Sequence, residues 1–193
     1  MSAIEPPLDI KVVRVARALD DADLPFAFGG ALALAYYAEP RATIDLDVNV
    51  FVAPAAIARV TDALLSVGVA AGAADLRAAR RVGAVRLWWD TTPIDVFLAY
   101  DAFHFSAAKR VRVVPFGPDA IRILAAEDLL VCKVIFDRRK DWIDVEQMLL
   151  LNAGSLDVAD VRRWIAAIVG EHDRRRVHFD GLVGEVLGPQ YPF

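Results

Sequence analysis

One cysteine in 193 residues, Cys132, leaves no pair for a disulfide within the chain and no thiolate cluster for zinc. It falls in an apolar helical pattern and is expected to be a buried free thiol. The histidines His104, His172 and His178 show no metal-ligand spacing with one another or with the carboxylates. No apolar run approaches the roughly 20 residues that cross a bilayer, and Met1-Ser2-Ala3-Ile4-Glu5-Pro6-Pro7 lacks the basic opening and apolar stretch of a signal peptide. A cytoplasmic protein is expected. Positive charge is also scarce: 22 Lys and Arg stand against 26 Asp and Glu, net −4, which disfavours capture of nucleic acid over the whole surface and leaves only a local basic patch for that purpose. What the chain does have is apolar material, 56% of its residues, enough for one domain, or for a domain with a helical extension.

Local pattern divides the chain into two characters. Leu8 to Leu19 carries apolar residues at helical spacing and runs into Asp20-Asp21-Ala22-Asp23 before Pro25; Phe26 to Phe28 reads as a short strand. After Gly29-Gly30, helix formers continue to Tyr37 and stop ahead of Pro40. Thr43 to Val52 alternates as a strand, Pro54 suits the first turn of a helix reaching about Leu65, and the Gly/Ala-rich stretch Gly68 to Ala74 reads as loop. Val85 to Trp89 and Ile94 to Leu98 read as antiparallel strands around a turn at Asp90-Thr91-Thr92-Pro93, and Lys109 to Val114 as an edge strand. From Ala126 onward the spacing is helical throughout, so the division predicted is an α/β core over residues 1–125 and a helical C-terminal segment, 126–193, packed on it.

The chemistry-bearing feature is Asp45-Leu46-Asp47 inside the second strand. Residues two apart leave a strand on the same face, so both carboxylates point together. Two anions that close repel and lose hydration unless a cation or a set of donors lies between them, and a divalent metal is the usual solution. Asp95, in Pro93-Ile94-Asp95-Val96-Phe97-Leu98, adds a third lone carboxylate in a strand-like setting. Taken singly, each element has a plainer reading: paired acids on a solvated strand face, an acid satisfying turn amides, a glycine pair in a tight turn without ligand. Their combination favours a site.

Gly29-Gly30, then Asp45-x-Asp47, then Asp95 resembles the nucleotidyltransferase fold of the DNA polymerase β superfamily. Pro40-Arg41-Ala42-Thr43-Ile44-Asp45-Leu46-Asp47, Ala126-Glu127-Asp128-Leu129-Leu130-Val131-Cys132-Lys133 and Arg138-Arg139-Lys140-Asp141-Trp142-Ile143-Asp144 bring the resemblance closest to AbiEii-type nucleotidyltransferase toxins, over roughly Phe26 to Leu150. The resemblance implies an α/β (α+β) fold: a small mixed sheet flanked by helices. It implies Asp45, Asp47 and Asp95 as catalytic and Mg²⁺- or Mn²⁺-binding residues, with Gly29, Gly30, Arg41, Thr43 and Lys133 on the nucleotide and Asp141 and Asp144 as secondary candidates. The amides opening the helix after the glycines would face phosphate. One departure stands out: Gly30 occupies the place where the superfamily commonly has serine.

The function so implied is Mg²⁺-dependent transfer of a nucleotide from an NTP to a hydroxyl on RNA, such as tRNA, or on protein, as in toxin–antitoxin systems, with an antitoxin as partner. Two alternatives stay open: an inactive nucleotide-binding or interaction module, and an antibiotic nucleotidyltransferase acting on a small molecule. Elsewhere Trp88 and Trp89 point to opposite strand faces, with core packing expected for both. Arg138 and Arg139 read as surface charge, Lys140 and Asp144 as a helical ion pair, and Arg174-Arg175-Arg176 as a solvated face.

Overall fold

The computed structural model describes residues 5–188. Contacts divide the chain into two compact units, one of residues 1–32 with 42–124, the other of residues 33–41 with 125–193.

In the first unit the described residues form a six-stranded mixed sheet of order β3-β4-β2-β1-β6-β5. The strands are β1 Phe26–Phe28, β2 Leu46–Val50, β3 Ala84–Trp89, β4 Thr92–Leu98, β5 Arg112–Phe116 and β6 Asp119–Ile123. β1 lies antiparallel to β2 and parallel to β6, while β2 runs parallel to β4. The outer strands arrive as hairpins, β3 with β4 and β5 with β6. β1 is buried along its whole length, as a central strand of the apolar run Phe-Ala-Phe should be.

Register sorts β2, β4 and β3 into two faces. Leu46, Ile94 and Leu87 lie in one row, and Val48 and Val96 in the next, all buried. Each such side chain contributes about 1.5–3 kcal/mol on leaving water, so a slip of one residue would turn this whole set outward, which fixes the register. Helices α1 (Leu8–Asp21), α3 (Ile57–Leu65) and α4 (Ala73–Val82) add further apolar faces, such as Val12, Val15 and Leu19 of α1 and Ile57, Val60 and Leu64 of α3. α2 (Gly30–Leu34) and α5 (Ala102–Ala107) are short.

In the second unit α6 (Ala126–Phe136) is the central helix, contacting α7 (Arg139–Asn152), α8 (Val158–Val169) and α9 (Arg174–Leu187). It buries Leu129, Leu130, Val131 and Val134 around its circumference, the pattern of a helix enclosed by others. Cys132 departs from expectation: it is half-buried, not enclosed. Among the described residues no helix is long and apolar enough to cross a membrane.

Several boundaries move. β2 begins at Leu46, three residues later than the alternation from Thr43 suggests, because the Thr43 hydroxyl accepts from the Asp45 amide at 3.2 Å and turns the chain there. The helix after the glycines ends at Leu34. α4, α5 and β6 add to the elements expected; β6 turns Ile121 and Ile123 inward, a short alternation beside the turn residues Gly117-Pro118. β5 is the edge strand expected.

Candidate active site

The β-strand register assembles a charged row opposite the apolar face. Asp47 of β2 pairs with Asp95 of β4, and Asp95 pairs with Arg86 of β3, so the three side chains leave the sheet on one side. Asp45, two residues before Asp47, joins them: its Oδ2 lies 3.9 Å from Arg86 Nη2. Arg86 donates through Nε and Nη2 to the two oxygens of Asp95 at 2.7 and 2.6 Å. This is a bidentate fork, the geometry that makes arginine–carboxylate pairs directional.

Hydrogen bonding to Asp95 is the first cause that raises the Arg86 pKa well above its ordinary value, and the charges of Asp45 and Asp47 add to it. One guanidinium therefore serves three carboxylates. Sequence reasoning missed Arg86, although strand alternation already set it on the face opposite Leu87.

The glycines shape the floor beside these acids. Gly29 donates its amide to the Asp47 carbonyl at 2.8 Å, which extends the β1–β2 ladder by one residue. Gly30 has φ +55, and a Cβ placed on it would stand 1.7 Å from Asp47 Oδ2. The carboxylate leans over bare backbone, which gives the departure from serine at this position a steric reason. Gly30 itself opens α2, and the helix is five residues long. A rim residue was also misjudged: Trp89 is core at 5% exposure, whereas Trp88 is 54% exposed on the Arg86 side of β3, opposite Pro93. Arg86 and Trp88 are both exposed on that face of β3.

The donor set is carboxylate oxygen alone, which suits a hard divalent cation such as Mg²⁺ or Mn²⁺. Among the described residues no group of three or more His, Cys, Asp or Glu is arranged to hold a metal ion. Arg86 brings positive charge to Asp95 and Asp45, a stand-in of the right sign. The donors fit the metal in kind, and their present spacing is set around arginine.

Lys133, Arg41, Asp141 and Asp144 lie in the helical unit, where they form an ion network. Lys133 of α6 is 2% exposed, with its ammonium 2.5 Å from Asp144 and 3.5 Å from Asp141. Arg41 donates to both oxygens of Asp144 at 3.2 and 3.1 Å. Asp141 accepts from Arg138 Nε at 2.6 Å and, near the start of α7, from the Arg138 amide at 3.3 Å. Asp144 is thus turned inward to Lys133 and Arg41, not paired along the helix with Lys140. Thr43 is engaged with the backbone of Asp45, as both donor and acceptor.

The fold is that of a nucleotidyltransferase. The solution structure of the antibiotic-resistance factor ANT(2'')-Ia is similar over 92% of this chain and 95% of its own, with TM-score 0.59 and 14% identity. The crystal structure of ANT(2'')-Ia in complex with adenylyl-2''-tobramycin is similar over 83% of this chain and 97% of its own, with TM-score 0.60 and 13% identity. The family model "Nucleotidyl transferase AbiEii toxin, Type IV TA system" matches residues 14–190, and the chain belongs to that nucleotidyltransferase family. Comparison with curated protein sequences finds no match.

Proposed function

We propose that this protein transfers a nucleotide from an NTP to a hydroxyl acceptor, with Asp45, Asp47 and Asp95 as its working carboxylates. The observation that carries the reading is the register Asp47 to Asp95, which brings acids from two strands side by side with Asp45 on the same face. A fold has no structural use for three converging acids; a reaction that handles triphosphate does.

In this reading Asp45, Asp47 and Asp95 would hold Mg²⁺ or Mn²⁺, which neutralises phosphate charge and aligns the α-phosphate for in-line displacement. Asp95 takes the proton of the attacking hydroxyl. The acceptor oxygen bonds to the α-phosphorus, the bond from that phosphorus to the bridging oxygen breaks, and pyrophosphate leaves. Gly29 and Gly30 leave room for phosphate to approach the backbone. Thr43 fixes the chain entering Asp45.

Membership of a toxin family supports RNA, a tRNA end included, or a protein side chain as acceptor, and an antitoxin as binding partner. A second reading, nucleotidyl transfer to a hydroxyl of a cationic, aminoglycoside-like small molecule, is favoured by the net charge of −4, which suits a polycation better than RNA, and by the fold shared with ANT(2'')-Ia. The test is incubation with each α-labelled NTP and Mg²⁺ against total RNA, protein extract and aminoglycosides. Label on one acceptor class, absent when EDTA is included in the reaction, supports the reading and selects the acceptor. Nucleotide binding without label on any class supports the inactive module in its place.

A further inference from the structure

Both oxygens of Asp95 are taken by one arginine. The fork from Arg86 closes at 2.7 and 2.6 Å, and the same Nη2 reaches to 3.9 Å from Asp45. Register imposes the arrangement: the two-residue turn Asp90-Thr91 sets Arg86 directly opposite Asp95, and Asp95 directly opposite Asp47. The pair is also accessible, with the Arg86 side chain 51% and that of Asp95 19% exposed. Water competes for both partners there, so the fork can open at modest expense.

A divalent ion shared by these acids needs an oxygen of Asp95 that faces Asp45 and Asp47. The Arg86 guanidinium holds both oxygens of Asp95, so the ion must compete with it for them. Two cations of different charge cannot occupy one cluster without strong repulsion.

We propose that Arg86 is the internal counter-cation of the carboxylate face and competes with the divalent metal for Asp95, so that metal binding requires the Arg86 fork to open. The inference rests on the metal-dependent reading given above. It assigns Arg86 a positioning role: the guanidinium offsets the repulsion among the acids before metal arrives, and the apparent metal affinity is the intrinsic one multiplied by the fraction of molecules in which the fork is open. In a chain without Arg86 the acids lose the counter-charge it supplies, the metal-free fold weakens, and the metal no longer competes with the fork.

The experiment is a Mn²⁺ titration, followed by calorimetry and by the Mn²⁺ electron paramagnetic resonance signal, on the full chain and on Arg86→Met, which keeps the stem and drops the charge. Arg86→Met is expected to bind Mn²⁺ about tenfold more tightly than the parent. Its melting midpoint in EDTA should fall below that of the parent, with a larger rise on adding Mn²⁺. Asp47→Asn introduced into both proteins should weaken that binding, which locates the ion. Equal or weaker Mn²⁺ affinity in Arg86→Met overturns the competition and leaves the metal reading standing. Absence of Mn²⁺ binding from both folded proteins overturns the metal reading, and the inference with it. Should Arg86→Met not fold without metal, Arg86→Lys decides: it keeps charge and loses the fork, and must bind Mn²⁺ at least about threefold more tightly than the parent for the competition to stand.

Discussion

Asp47 stands over Gly30 so closely that a single added methyl would lie 1.7 Å from its Oδ2. Gly30 also holds φ +55, a conformation that costs an L residue about 1–2 kcal/mol. Gly30→Ala is therefore expected to push the Asp47 carboxylate off its position, cutting nucleotidyl transfer about a hundredfold or more, in line with the sensitivity of such sites to displacements of about 1 Å. Stability should fall by at least about 1–2 kcal/mol, the cost of the backbone conformation alone. Steady-state transfer rates beside urea unfolding check this; undiminished transfer in a folded Gly30→Ala protein would remove the glycine from the site.

Lys133 sits at 2% exposure between Asp144 and Asp141, themselves 3% and 0% exposed. Replacing it with Met leaves two buried acids to the partly exposed Arg41 and Arg138. Removing one partner from a buried ion network is strongly destabilising, so Lys133→Met should cost about 3–5 kcal/mol by urea unfolding. A loss below about 1 kcal/mol would mean the network is not what holds these helices together.

Neighbouring tryptophans should behave oppositely. Trp89 packs in the core at 5% exposure, and Trp89→Ala should cost about 3–5 kcal/mol. Trp88, at 54% exposure, should tolerate Ala within about 0.5 kcal/mol. Denaturant midpoints of the two variants give the comparison directly.

Asp173 caps α9, accepting from the Arg175 amide at 2.9 Å and from Arg175 Nε at 2.8 Å. The Arg175 side chain, first, and its backbone amide hold the Asp173 carboxyl down to about 2, from an ordinary 3.8. A depressed folded pKa stabilises above the unfolded value and ceases to do so as pH falls through the folded one. The gap in melting midpoint between the parent and Asp173→Ala should be full at pH 7, clearly smaller at pH 3, and closing towards pH 2. A gap equal at pH 7 and pH 3 would contradict the linkage.

The carboxylates were legible because alternation alone decides which strand residues share a face, and Asp45-x-Asp47 needs no knowledge of partners. Arg86 was not, because its place depends on a turn length. A four-residue turn through Pro93 sets Arg86 opposite Phe97, whereas the actual turn at Asp90-Thr91, with Asp90 at φ +53, moves it to Asp95. Asp90 has the φ of the compact hairpin turn that strand twist favours, but Asp-Thr signals it more weakly than Asp-Gly. Trp88 was misjudged since apolar identity does not tell an edge strand from a covered one. Lys133 was readable as special, being a cation in an apolar helix, but its ties to Asp144 and Asp141 belong to packing between α6 and α7, which periodicity does not encode.

The most direct measurement is the rate of label transfer from an α-labelled NTP by the parent and by Asp47→Asn, on whichever acceptor the parent modifies, with circular dichroism confirming that both are folded. A loss of at least about a thousandfold is expected, since Asn keeps the shape of the side chain and removes the charge that holds the cation. Transfer by Asp47→Asn within tenfold of the parent would contradict the assignment of the β2–β4 carboxylate face as the catalytic centre.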